Sequence, residues 1–410
     1  MTEPTAPPGR RALRGAAPTT DRFPCIDGLR AIAALAVVAF HYLFVGGPEP
    51  LWLRGRLQAV AWAFGGQGVA IFFVISGFLL YRPFAIAHFA DQAEPPSVPF
   101  WTRRAVRIFP AYWVALSFAL LTLGVGTIRG FGRFFALYTL TQGYHRGLEL
   151  AGLGVAWTLV IEVSFYATLP FIALGLRALG GADTSRTQRL RRELLALALL
   201  FCVGAGARGW WLWSANPPKF VLQYTMIWYL DVFALGLLLA IASAWCTATG
   251  RIPRLLDAVG RVPWLWWTTA LVVYVWSCPL ADGRPGHPPV SRLVALTLPM
   301  LRGAIAVLLI TPAVLGDQHR GAIRALLRSR PATYLGTISF GIYLWHLTMI
   351  RLIARWISHG SLTPDPWVRL ITTAALTATA ATASFYLVER PAIARGRRWS
   401  ARAERSRALV

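Results

Sequence analysis

The sequence predicts an all-α, polytopic integral membrane protein with about ten transmembrane helices. Two observations predict it. Of the 410 residues, 56% are hydrophobic and only 14% charged, which is more apolar surface than a soluble domain of this size hides. Apolar windows of about 18 to 25 residues also recur along the chain, each long enough to cross a hydrocarbon core of roughly 30 Å.

Taken in order, the windows are 26–46, 60–82, 108–128, 153–176, 194–213, 221–245, 263–280, 293–315, 333–353 and 367–388. The first follows a polar stretch rich in Pro, Arg and Thr and contains Arg30 and His41. In the second, Ser76 and Gly77 interrupt the aromatic and branched run from Ile71 to Leu80, and small residues of this kind permit close helix approach. A basic segment, Trp101 to Pro110, leads into the third. The stretch from Phe131 to Tyr144 is too short to span and reads as an interfacial or re-entrant piece. Glu162 lies in the fourth window, Arg208 in the fifth, Asp231 in the sixth, Arg302 in the eighth and His346 in the ninth.

The 41 basic and 17 acidic residues leave a net charge of +24. A nucleic-acid-binding protein would gather such charge on one soluble face, whereas here it sits in the connections, so no nucleic-acid partner is expected. Sorting the basic residues by alternate connection puts about 27 on one side and about ten on the other. That bias predicts an inner-membrane protein with both termini in the cytoplasm. Its organisation reads as a disordered cytoplasmic tail over 1–22, a membrane unit over 23–390 and a basic cytoplasmic tail over 391–410 that could lie against anionic lipid. No apolar h-region precedes the first window, so no cleaved signal peptide is expected. Cys25, Cys202, Cys246 and Cys278 lack metal-ligand spacing and read as packing residues, so no metal site is expected.

Ionisable side chains inside a bilayer cost about 2.5 to 3.5 kcal/mol at a helix centre and usually face a polar interior. Arg30 and His41 are eleven steps apart, a rotation of about 1100°, or three turns and a small remainder, so they share a helix face. The same steps rise about 16 Å, enough for a long donor held by its charged end at Arg30 to present its other end to His41. Equally, Arg30 fits a topology-setting arginine and His41 an interhelical hydrogen bond. Asp27 stands one turn before Arg30, where it either orients that guanidinium or caps the helix. Arg104 and Arg107, one turn apart, suit phosphate, and also fit an ordinary positive-side excess. Glu162 is a mid-membrane carboxylate. Ser76 reads as packing, because no base stands beside it in sequence. His346 reads as a satisfied core histidine at a depth similar to His41, and Asp231 with Arg302 as an intramembrane ion pair.

Together these segments resemble acyltransferase family 3, the multi-helix membrane O-acyltransferases. The resemblance rests on Arg30 and His41 at their ten-residue separation, and on Phe72, Phe73, Ser76, Gly77 and Phe78 in the second helix. Arg104 and Arg107 match an Arg-x-x-Arg element, and Trp157, Leu159, Glu162, Phe165 and Tyr166 match another. Ser339, Tyr343, Leu344 and His346 match a late element, in which Phe340 stands where the family usually has Tyr, and Glu389-Arg390-Pro391 fits the ending.

The resemblance implies transfer of an acyl group, often acetyl, from an acyl-CoA co-substrate to a hydroxyl of a carbohydrate or glycosylated acceptor, with no bound cofactor. It implies His41 as general base, Glu162 orienting His41 or the acceptor, and Arg30, Arg104 and Arg107 binding the donor, with Asp27, Ser76, Tyr343 and His346 in support. No Walker or GxGxxG loop is present. The rival from another class is a transporter or flippase in which His41, Glu162, Asp231 and His346 relay protons. A non-catalytic scaffold is the third reading.

Overall fold

The computed structural model describes residues 23–44, 56–124, 130–180, 185–215, 222–281, 291–359 and 365–408. The tail expected over 1–22 lies outside the described residues. Every regular element described is helical: α1 (Pro24–Phe44), α2 (Arg56–Phe89), α3 (Ser97–Leu123), α4 (Phe131–Tyr138), α5 (Trp157–Gly180), α6 (Arg186–Trp213), α7 (Leu230–Thr249), α8 (Arg254–Arg261), α9 (Pro263–Ser277), α10 (Arg292–Val314), α11 (Ala322–Leu327), α12 (Arg330–Thr337), α13 (Ser339–His359), α14 (Pro366–Ser384) and α15 (Arg390–Ala408). The all-α, multi-pass class expected from composition is the class observed.

Eight helical stretches among the described residues are long and apolar enough to cross a bilayer, and a bent pair makes nine. The seventh window, 263–280, supplies only the 15-residue α9 and a 3₁₀ turn over Cys278–Ala281. Pro263 opens α9 and Pro279 stands in the turn after it, so the regular helix reaches only about 22 Å. The bent pair is α12 and α13, which meet at Ile338 with a 70° change of direction. α12 therefore crosses the N-terminal end of α1 instead of continuing a span. At that crossing a β-carbon on Gly336 would collide with the Asp27 carbonyl, and beside it, where α11 ends, one on Gly28 would collide with the backbone of Leu327. The segment expected as interfacial forms the eight-residue α4, which leaves Phe131, Phe134 and Phe135 exposed. The arginine-rich end expected as a tail is helical through Ala408, and its Gly396 sits against Val106 of α3.

α2 is the central element. Its apolar window is 72% buried inside the protein, against 17% for that of α6, so α6 presents most of its surface to lipid. Gly77 of α2 and Gly236 of α7 let the two backbones touch: a β-carbon at Gly77 would lie 2.8 Å from the Phe233 carbonyl oxygen, and one at Gly236 would lie 2.9 Å from Gly77 Cα. The packing role read for Gly77 is the role seen. Phe73, Phe165 and Phe233 stack beside this crossing, with ring centres 4.8 Å apart for Phe73–Phe233 and 4.0 Å for Phe165–Phe233. Close contact of α2, α5 and α7 on one side leaves α1, α3 and α13 to enclose the other, where the polar residues gather.

Candidate active site

A cavity of about 110 Å³ lies between α1, α2, α3, α5 and α13. Water needs on the order of 10 to 15 Å³ by this measure, so the space holds several waters or part of an extended chain. Its polar wall is Arg30 of α1, Ser76 of α2, Arg104 and Arg107 of α3, and Glu162 and Tyr166 of α5. The remaining wall is mostly apolar, including Val69, Phe72, Leu79, Ile108, Phe340 and Tyr343.

Glu162 organises the polar wall. Ser76 donates to Glu162 Oε1 at 2.8 Å, and Tyr166, one turn along α5, donates to the same oxygen. Two donors on one oxygen fit an ionised carboxylate. No base stands beside Ser76 in sequence, but the fold brings it a carboxylate from a helix 86 positions away. Glu162 is also not the partner of His41. It belongs to the Arg30 end of the site, where Arg30 has Arg107, Asp27 and Glu162 as its principal charged neighbours.

The three arginines form no ion pair with a carboxylate among the described residues. Asp27 contributes charge near Arg30 but does not bind it directly. The guanidinium of Arg104 lies 6.0 Å from the ring centres of both Phe100 and Tyr166, and its Nε–H is buried with no acceptor among the described residues. Three cations facing one carboxylate give the cavity wall an excess of positive charge.

His41 lies beyond the cavity wall. Its Nδ1 is 2.9 Å from the Val37 carbonyl and 3.2 Å from Nε2 of His346, which is fully buried on α13. His346 Nδ1 is in turn 3.1 Å from the Ile342 carbonyl. Tyr343 connects the cavity to this pair: its ring lies 5.8 Å from that of His346 and 6.2 Å from that of Phe72, while its hydroxyl is anchored by Thr158 at 2.7 Å and the Val155 carbonyl at 2.9 Å. No group of three or more potential metal ligands occurs among the described residues.

Residues 23–389 match the family model for the acyltransferase domain of acyltransferase family 3. The chain belongs to acyltransferase family 3. It is a multi-pass membrane enzyme that transfers acyl groups. Nodulation protein 10 of Rhizobium leguminosarum bv. viciae is 27% identical over 90% of this chain and 92% of its own length. The peptidoglycan O-acetyltransferase OatA of Listeria monocytogenes is 25% identical over 90% of this chain, which spans only 55% of that protein. The exopolysaccharide production protein ExoZ of Rhizobium meliloti is 28% identical over 81% of this chain and 91% of its length. No solved structure matches the chain.

The acyltransferase fold thus brings Arg30, Arg104, Arg107, Ser76, Glu162 and Tyr343 to one cavity and sets His41 against His346 beyond it. Of the four groups in the rival proton relay it joins only His41 and His346. Glu162 bonds Ser76 and Tyr166, and Asp231 pairs with Arg208 at 2.6 Å, not with Arg302. Two residues that the sequence marks only as motif positions gain a place by the fold, Tyr166 in the cavity wall and Glu389 outside it. Glu389 is buried at the end of a π-helical turn over Phe385–Glu389 and feels the charges of Arg107 and Arg30, a placement that no periodicity signals.

Proposed function

We propose that this acyltransferase moves an acyl group, acetyl in the simplest case, from acyl-CoA to a hydroxyl of a carbohydrate or glycosylated acceptor at the inner membrane, with both termini in the cytoplasm. One observation carries the reading: three arginines without carboxylate partners among the described residues converge on a cavity whose far wall leads, through Tyr343, to a paired histidine. Guanidinium groups bind phosphate oxygens in bidentate fashion, and a nucleotide-bearing thioester supplies such oxygens on a long neutral arm. Arg30, Arg104 and Arg107 hold the phosphates. Glu162, fixed by Ser76 and Tyr166, accepts an amide N–H of the arm, which runs past Val69 and Phe72 toward the histidines. The acceptor named for OatA is peptidoglycan, and a carbohydrate hydroxyl is the acceptor class we carry over.

At the thioester end His41 acts as general base, a task suited to imidazole near neutral pH. It takes the proton of the acceptor hydroxyl as the oxygen attacks the thioester carbonyl. A C–O bond forms, the tetrahedral intermediate collapses, the C–S bond breaks, and the proton passes from the imidazolium to the departing sulfur. The products are an ester and the free thiol of CoA.

The test uses the full chain in lipid nanodiscs with acetyl-labelled acetyl-CoA, following thiol release and transfer of label to oligosaccharides. His41→Ala should abolish transfer while the protein stays folded. Label transfer by that variant at the unmodified rate would overturn the base assignment.

A further inference from the structure

The contact between His41 and His346 defines which nitrogen of each ring carries hydrogen. A backbone carbonyl only accepts hydrogen bonds, so the 3.1 Å approach of His346 Nδ1 to the Ile342 carbonyl places a hydrogen on that Nδ1. His346 is fully buried within a membrane helix, where an uncompensated imidazolium is costly, so the ring is neutral and its Nε2 carries a lone pair. The same argument puts hydrogen on His41 Nδ1, 2.9 Å from the Val37 carbonyl. That hydrogen also meets the His346 Nε2 lone pair, 3.2 Å away. The opposite tautomer of His41 would set two lone pairs against each other and leave the Val37 carbonyl facing a third.

We propose that His346 is a positioning residue that accepts a hydrogen bond from His41 Nδ1–H and so reserves His41 Nε2 as the proton-accepting nitrogen. The inference rests on His41 being the base, and it explains how that base works without a carboxylate behind it. When His41 Nε2 takes a proton, the positive charge is shared with an Nδ1–H that already has two acceptors, the Val37 carbonyl and His346 Nε2. A neutral acceptor suits this depth better than an aspartate, because it adds no charge that would need compensation while the enzyme rests. A shared metal ion does not fit the pair: the two facing nitrogens are at hydrogen-bond distance with a hydrogen between them, and no cluster of three potential ligands occurs among the described residues. Tyr343, anchored at its hydroxyl, buttresses the His346 ring from the cavity side.

Two readouts test this, and the first needs neither donor nor acceptor. In full-length protein carrying ¹⁵N-histidine in nanodiscs, we expect His41 with Nδ1 protonated and Nε2 bare, and a through-hydrogen-bond N–N coupling between His41 Nδ1 and His346 Nε2. A proton on His41 Nε2, or the absence of that coupling in a well-resolved spectrum, overturns the proposal.

The second readout is turnover of acetyl-CoA, followed as thiol release. His346→Leu removes the acceptor and is expected to lower kcat roughly tenfold with the KM for acetyl-CoA unchanged, the loss of one hydrogen bond of about 1.4 kcal/mol. His346→Gln returns an acceptor oxygen to the Nε2 position and is expected to recover most of that loss. Equal rates for the two variants would mark His346 as a packing residue and overturn its positioning role. An active His41→Ala variant would instead remove the base itself, with the spectrum of the unmodified protein unchanged, so the two failures are distinguishable.

Discussion

Ser76 on α2 donates its hydroxyl hydrogen to Glu162 Oε1 on α5 at 2.8 Å, and this bond ties the two helices together at the arginine end of the cavity. A serine beside a carboxylate invites a nucleophilic reading, but the geometry makes Ser76 the donor that holds Glu162 in place together with Tyr166. Losing one hydrogen bond to a charged group costs about 1.5 to 3 kcal/mol. Ser76→Ala should therefore lower kcat/KM by no more than about a hundredfold. Loss of a true nucleophile would cost on the order of a millionfold. Steady-state kinetics with acetyl-CoA separate the two, and loss of the larger size would sink the positioning role.

Arg104 and Arg107 sit one turn apart on α3 and share the cavity with Arg30. Gln at either position keeps hydrogen-bonding capacity and removes the charge. If they hold phosphates, each variant should raise the KM for acetyl-CoA by roughly tenfold to a hundredfold and leave kcat within a few-fold, the pattern of lost uniform binding. Glu162→Gln should share that pattern, because Glu162 lies at the donor end. A fall in kcat with KM unchanged for Glu162→Gln would move the carboxylate to the reacting hydroxyl instead.

The donor end was legible in part. An eleven-step spacing is simple helix arithmetic, so a shared face for Arg30 and His41 follows from the sequence, as does the Arg104–Arg107 pair. Partners across helices are another matter. Nothing local to Ser76 announces Glu162, and nothing local to Asp231 chooses Arg208 over Arg302, because helix pairing is decided by three-dimensional packing. His346 looked like a satisfied core histidine, which it is, yet what satisfies it on one side is His41. The shortness of α9 was open to inspection, since Pro263 and Pro279 bracket it, but mean hydropathy over the window masks a proline limit.

The contact of Gly77 with Gly236 leaves no room for a side chain on either helix. The atoms that a β-carbon on Gly236 would meet are backbone atoms of α2, which cannot rotate away. Gly236→Val should destabilise the protein by about 1 to 3 kcal/mol, as overpacking does, and displace α7 from α2. Thermal unfolding in detergent measures it. Stability equal to that of the unmodified protein would mean that the helices do not cross at these glycines.

Arg208 and Asp231 offer the clearest separation of stability from catalysis. Both side chains are fully buried and joined at 2.6 Å and 3.2 Å, with the guanidinium also reaching the Leu296 and Trp228 carbonyls. They line neither the cavity nor the histidine pair. Removing one member strands the other as a buried charge, at a cost of about 3 to 5 kcal/mol, whereas replacing both with apolar residues of similar volume is often neutral. Asp231→Leu alone should therefore lower the unfolding temperature sharply, and so should Arg208→Met alone. The double variant should recover much of the loss, although the two carbonyls lose their donors and hold the recovery short of complete. Whatever folds should bind acetyl-CoA with an unchanged KM. A double variant less stable than either single one would show that the pair is worth more than the burial of its charges, and a raised KM would place the pair in the site.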